Sequence, residues 1–186
     1  MAVKTMAKNV GTGQYNAGWH ELTISQATDG EWNGKRVIDL NFEGYPENMR
    51  YRVFETTNSK TGEEFKIANL FRYACAGIIS VLNDPTGKNP VIQYDDEVTN
   101  LIGTRINALF VKKPGTDGKE YSEVYDVVPV AQETEHLTYT EDDVTRMKTR
   151  VEGRHTGKTP VKTNVVGTVA TETTSTTTTS STDIPF

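Results

Sequence analysis

From residue 153 onward Thr, Ser, Gly, Pro and Lys dominate the chain, and the apolar surface left is too small to offset the entropy of ordering it. Whatever folds must therefore be built from the residues before 153. That length suits one ordinary domain whose core stabilises itself without disulfides or metal. Cys75 is the only cysteine, so no intramolecular disulfide can form, and its apolar surroundings suggest a buried, unreactive thiol. His20, His136 and His155 are too scattered for zinc-ligand spacing. No apolar run approaches the roughly 18 to 20 residues of a membrane span, and no hydrophobic signal segment follows Met1, so the expectation is a cytoplasmic protein with no membrane partner.

Residues 1–17 show no sustained periodicity and read as an N-terminal arm. Gly11-Thr12-Gly13 within it lacks the third glycine and the strand context of a dinucleotide fingerprint, and no cofactor is expected. From Gly18 the pattern turns to period two: Trp19, Glu21, Thr23 and Ser25 alternate with His20, Leu22, Ile24 and Gln26. A turn-rich stretch over 28–34 separates this first strand from a second at 35–43, where Ile38, Leu40 and Phe42 share a face. A third strand is predicted at 49–55, with Tyr51 and Val53 on one side and Arg50, Arg52 and Phe54 on the other. The period then changes. Ile67, Phe71, Ala74, Ile78 and Val81 recur at helical spacing, predicting a helix of about four or five turns stopped at Asn83-Asp84-Pro85. A short helical segment at 95–102 ends at Gly103, and strands at 104–112 and 121–130 form a hairpin across Lys113-Pro114-Gly115-Thr116-Asp117-Gly118-Lys119-Glu120. Thr140-Glu141-Asp142-Asp143 opens a last helix in capping-box style, with Val144, Met147 and Val151 one turn apart, packing on the sheet or on a second protomer.

Three strands, helical material and a closing hairpin are the element order of an OB-fold. The expected fold is mainly β with helices: a five-stranded OB-fold barrel over 18–152, a C-terminal helix, and a disordered Thr/Ser-rich linker and tip over 153–186.

No nucleotide-binding loop, nucleophile elbow or metalloprotease helix occurs, and no enzymatic activity is expected. Asp95-Asp96-Glu97 and Glu141-Asp142-Asp143 are candidate metal clusters for a small nuclease, but both sit where helices begin and read as caps. A non-catalytic constellation is better supported. Binding single strands without sequence preference needs cations for phosphates and aromatic faces for bases. Arg50, Arg52 and Phe54 supply both on one strand face; Trp32, Lys35 and Arg36 in the first hairpin and Lys112, Lys113, Lys119 and Tyr121 in the last extend the set. Against this stands a formal net charge of −5, where polyanion binders carry a basic patch. Within 153–186, Arg154, Lys158 and Lys162 face only Glu172 and Asp183, so the body is more acidic still. Any DNA site must be a local basic strip.

The last residues, Asp183-Ile184-Pro185-Phe186, place an apolar tip after a polar linker, where it has no packing role. This tip resembles that of bacterial and phage single-stranded DNA-binding proteins, and the body is closer to divergent phage members than to the cellular type. The resemblance implies single-stranded DNA as ligand, a role in replication, recombination and repair in a bacterial host cytosol, and recruitment of replication and repair proteins through Asp183, Ile184, Pro185 and Phe186. One departure is that the family's tail carries several acidic residues before its tip, whereas this one has Glu172 and Asp183. Two other readings compete: a replication accessory that binds proteins but not DNA, and a metal-dependent nuclease.

Overall fold

A computed structural model describes residues 15–82 and 90–157. The expected arm before Tyr15, the stop at Asn83-Asp84-Pro85, the linker beyond Gly157 and the tip Asp183 to Phe186 lie outside the described residues.

The first strand, β1 (Gly18–Trp32), is longer than the sequence suggests. It pairs with β2 (Lys35–Phe42) through Trp32↔Lys35, so the turn is only Asn33-Gly34. Both turn residues have positive φ, 52° and 74°, the conformation that matches a two-residue turn to the twist of its strands. Asp29 and Gly30 have poor strand propensity, but the ladder to Ile38 and Val37 overrides it. A register shift between Ile24 and Gln26 inserts a bulge at Ser25. Leu22 and Ile24 point into the core before it, and the alternation resumes one residue out of phase after it. The bulge divides β1 between two partners: its first half pairs with β6 (Arg105–Pro114) and its second with β2.

Strand β3 (Tyr51–Phe54) pairs with β2, burying Tyr51 and Val53 as the alternation requires. Helix α1 (Lys66–Ala74) follows, with Ile67, Leu70, Phe71 and Ala74 buried. The Glu64 carboxylate accepts hydrogen bonds from the backbone amides of Lys66, Ile67 and Ala68 at 2.7, 2.8 and 2.9 Å, satisfying donors that a helix start leaves free. The helix is half the expected length. Cys75 ends it in the left-handed region at φ 51°, and Ile78 and Val81 belong to β4 (Ile78–Leu82), paired with β5 (Val91–Tyr94). The switch rests on Gly77: at φ 62°, a Cβ there would stand 2.3 Å from the Asp95 carbonyl oxygen. A 3-10 turn, Val98–Leu101, occupies the expected short helical segment.

Strands β6 and β7 (Glu120–Pro129) pair out to Pro114↔Glu120, leaving a tip narrower than the predicted eight residues. A minimal hairpin, β8 (Gln132–Glu133) with β9 (Thr138–Tyr139), precedes α2 (Glu141–His155). The capping box is present: Thr140 accepts from the Asp143 amide at 3.2 Å, and the Asp143 carboxylate accepts from the Thr140 amide at 3.2 Å.

The molecule is mainly β with two helices, and its main sheet is antiparallel in the order β3-β2-β1-β6-β7. The sheet is open, with no ladder joining β3 to β7, so the expected barrel closure is absent from the backbone pairing. The edges meet through side chains instead. The Tyr51 hydroxyl donates to Asp126 Oδ1 at 3.1 Å, and Arg154 of α2 holds Asp126 Oδ2 at 2.8 Å. Burial, and then the Asp126 carboxylate, hold the Tyr51 hydroxyl far above its usual pKa. One core lies on the inner face, where Ile24, Ile38, Leu40, Phe42, Ile106 and Phe110 meet α1. A second lies on the outer face of β6 and β7, where α2 sets Val144 and Val151 on Leu109, Val111 and Val128.

Candidate nucleic-acid interface

While α2 covers the outer face of β6 and β7, no second layer among the described residues covers the outer face of β2, β3 and the second half of β1. With Ile38, Leu40 and Phe42 turned inward, the pleat turns Lys35, Val37, Asp39 and Asn41 to the opposite face, where Val37 is nonetheless buried. The register sets Trp32 beside Lys35, Arg52 beside Asp39 and Phe54 beside Val37. The face therefore joins three strands. Trp32 is 55% exposed, and the Arg52 guanidinium carbon lies 5.7 Å from its ring centroid, within cation–π range.

The cations on this face are partly neutralised. Arg52 makes a two-pronged pair with Asp39, Nε to Oδ1 at 2.7 Å and Nη2 to Oδ2 at 2.6 Å, and Arg50 Nη1 stands 3.7 Å from the same carboxylate. The Arg52 hydrogen bonds hold the Asp39 carboxyl below its ordinary range, and Asp39 raises Arg52 in return. Two guanidiniums share one carboxylate, leaving about one unit of positive charge, to which Lys35 adds a second exposed cation with no ion pair among the described residues.

Arg36 does not join the face. It alternates to the other side of β2, where its Nε and Nη2 bind Asp29 at 3.0 and 2.7 Å and its Nη1 pairs with Asp96. The hydrogen bond from Arg36 lowers Asp29, and the Asp29 bond raises Arg36 above its usual value. Arg36 thus ties the first hairpin to the segment before the 3-10 turn.

The last group lies elsewhere. Gly18 at the start of β1 pairs with Phe110, so the β6–β7 tip projects beyond one end of β1 while the Trp32 turn lies at the other. Lys112 Nζ donates to Ser122 Oγ at 3.0 Å, Lys113 pairs with Glu123 at 3.2 Å, and Lys119 is exposed. The Tyr121 hydroxyl donates to Asp117, lowering the Asp117 carboxyl and raising the tyrosine. Its ring lies over Gly115, where a Cβ would stand 2.3 Å from Tyr121 Cε2, so glycine lets the half-exposed ring cover the tip. Among the described residues no hydrogen bond, ion pair or ring contact joins the tip to the Trp32–Arg52 face.

The candidate metal clusters have local partners. Asp95 Oδ1 accepts from the Glu97 amide at 3.1 Å, Asp96 pairs with Arg36, and Asp143 closes the capping box. Among the described residues no three His, Cys, Asp or Glu side chains converge as metal ligands. Cys75 is half-buried rather than buried. Its Sγ accepts from Gln132 Nε2 at 3.3 Å, and burial raises its thiol. No helix among the described residues is long and apolar enough to cross a membrane.

Sequence reasoning missed a crevice of about 110 Å³ between the β3 and β7 edges and the two helices, with Lys66, Arg150 and Arg154 around Val53, Leu70 and Val151. Lys66 and Arg150 have no ion-pair partner among the described residues. The helical charge pattern held the only hint of it, because nothing local indicated that α1 and α2 meet over the same edge. No protein-family model matches the chain, and no curated protein matches it.

Proposed function

We propose that the chain is a non-catalytic single-stranded DNA-binding protein of OB type. It protects single strands during phage-type replication, recombination and repair, and recruits partner enzymes through residues 183–186. The observation that carries the reading is the sheet face, uncovered among the described residues, on which exposed Trp32 and half-buried Phe54 stand beside Arg50, Arg52 and Lys35. Stacking surfaces interleaved with cations suit a strand whose bases are free and whose backbone is anionic. The OB assignment rests on strand order: β1 is divided between β2 and β6, α1 follows β3, and the β6–β7 hairpin supplies the last two strands of the main sheet. In this reading the Tyr51–Asp126 link stands where the barrel seam would be.

The test is a fluorescence-anisotropy titration of labelled poly-dT and a matching duplex at several salt concentrations. Tight, strand-selective binding is expected, weakening with salt. Trp32→Ala and Phe54→Ala should each weaken it by roughly 5- to 150-fold, the equivalent of about 1 to 3 kcal/mol per stack. Arg50→Ala/Arg52→Ala should flatten the log-log salt slope by about 0.7 for each phosphate no longer neutralised. Deleting residues 183–186 should leave poly-dT affinity unchanged while abolishing partner capture. Absence of poly-dT binding at low salt overturns the proposal.

A second reading, a protein-binding replication accessory, is favoured by one observation: Asp29, Asp39 and Asp96 already occupy Arg36, Arg50 and Arg52 in a chain of net charge −5. It expects partner capture with no oligonucleotide binding.

A further inference from the structure

The crevice between the β3 and β7 edges lies where the sheet ladder stops and the two cores meet. Its floor is aliphatic and comes from four elements: Val53 of β3, Val128 of β7, Leu70 of α1 and Val151 of α2, all buried. An apolar cavity of ~150 Å³ is filled by one benzene, so a crevice of about 110 Å³ has room for a single phenyl or leucine-sized group. Phe65 stands at the mouth, 44% exposed. Asn69 lines it half-buried, and its side-chain amide has no hydrogen-bond partner among the described residues.

The rim is cationic. Lys66, Arg150 and Arg154 surround the crevice against one carboxylate, Asp126, which the Tyr51 hydroxyl, Arg154 and the Val127 amide already engage. Three cations less one carboxylate leave a local surplus of two positive charges in a chain of net charge −5. Lys66 and Arg150 carry that surplus, both exposed and without an ion pair among the described residues. An apolar floor selects an apolar side chain, a cationic rim selects carboxylates beside it, and a free amide suits the peptide group that joins them. Single-stranded DNA fits less well. Among the residues that line the crevice Phe65 is the only exposed ring, and Asp126 repels phosphate.

We propose that this crevice binds an acidic peptide of a partner protein. One aromatic or large aliphatic side chain of the peptide sits on the Val53, Leu70 and Val151 floor, and its carboxylates meet Lys66 and Arg150. β3 turns Tyr51 and Val53 toward the crevice and Arg52 and Phe54 away from it, so the site is separate from the Trp32–Arg52 face and does not rest on the DNA reading. One buried side chain and two exposed ion pairs are few contacts, and the affinity is expected in the high-µM to mM range.

The test is fluorescence anisotropy of a labelled short peptide of Asp, Glu, Ser and Gly around a single Phe, titrated with the full chain. Saturable binding that weakens with salt is expected. Replacing the peptide's Phe by Ala should weaken it about tenfold or more, as loss of a buried ring requires. Arg150→Glu should weaken it about fivefold and Lys66→Glu/Arg150→Glu further, whereas Arg105→Glu, the same charge change on β6, should leave it unchanged. Lys66 opens α1, where a carboxylate is favourable, and Arg150 is exposed on α2, so both changes spare the fold; thermal unfolding checks this. No saturable binding by the wild type overturns the proposal, and so does equal binding by the folded Lys66→Glu/Arg150→Glu variant. Binding by Phe186→Ala but not by the wild type assigns the crevice to the chain's own tip, and displacement of the peptide by unlabelled poly-dT assigns it to nucleic acid; either result overturns the assignment to a partner. Poly-dT affinity of the Lys66→Glu/Arg150→Glu variant, measured separately, should match the wild type, and absence of poly-dT binding by both bears on the DNA reading alone.

Discussion

Replacing Asp39 by Asn separates the two duties of the Trp32–Arg52 face. The carboxylate holds Arg52 through two short hydrogen bonds and attracts Arg50 at 3.7 Å, and its side chain retains only 19% exposure. Hydrogen bonds to charged groups contribute about 1.5 to 3 kcal/mol when shielded, and exposed pairs contribute under about 1 kcal/mol. With Arg52 29% exposed, an intermediate loss of about 1 to 2 kcal/mol is expected for Asp39→Asn, measured by urea unfolding. The same change removes one negative charge beside the proposed phosphate path. At ~6 Å in a water-like dielectric this is worth about 0.7 kcal/mol, or about threefold tighter poly-dT binding at low salt, vanishing as salt rises. The variant should therefore be less stable and bind DNA more tightly, a combination that general damage to the fold does not produce. Because Asp39 is held below its ordinary pKa, its stabilisation is present above about pH 4 and lost as pH falls through the folded-state value, and the Asn variant lacks that loss. Unchanged or weaker poly-dT binding by a folded Asp39→Asn protein would refute the placement of phosphates on this face.

Gly77→Ala should destabilise by roughly 1 to 3 kcal/mol or more in urea unfolding, since alanine meets both a positive φ and the Asp95 carbonyl at 2.3 Å. Thr140→Ala removes half of the capping box and should lower stability by about 0.5 to 2 kcal/mol, with helical circular dichroism largely retained. Tyr51→Phe leaves Asp126 with Arg154 and the Val127 amide and should destabilise by about 1 kcal/mol; a neutral result would mean that the side-chain link between β3 and β7 contributes nothing to holding the two edges.

Where structure depended on neighbours in the chain, the sequence was legible. The alternation at Ile38, Leu40 and Phe42 marked the inward face of β2, Tyr51 and Val53 that of β3, and Thr140 with Asp143 the start of α2, because a pleat and a cap are settled within a few residues. The overlong α1 shows the limit. Ile78 and Val81 fit a helical spacing as well as a strand, and the choice between them was made by Gly77 against Asp95 and by pairing with β5, neither of which periodicity can express.

The candidate face divides along the same line. Its residue types, Trp32, Lys35, Arg50, Arg52 and Phe54, could be read from the alternation of two short segments. That Arg36 would turn away to Asp96 sixty positions on, that Asp39 would hold two arginines, and that the β6–β7 tip would lie at the far end of β1 could not. By itself the sequence determined which residues of β2 and β3 point inward and where α2 begins, since those follow from local geometry and burial of apolar side chains. Only the tertiary structure decided which cations are free, which faces are covered and which edges meet, because these depend on contacts between segments whose mutual approach no local pattern encodes.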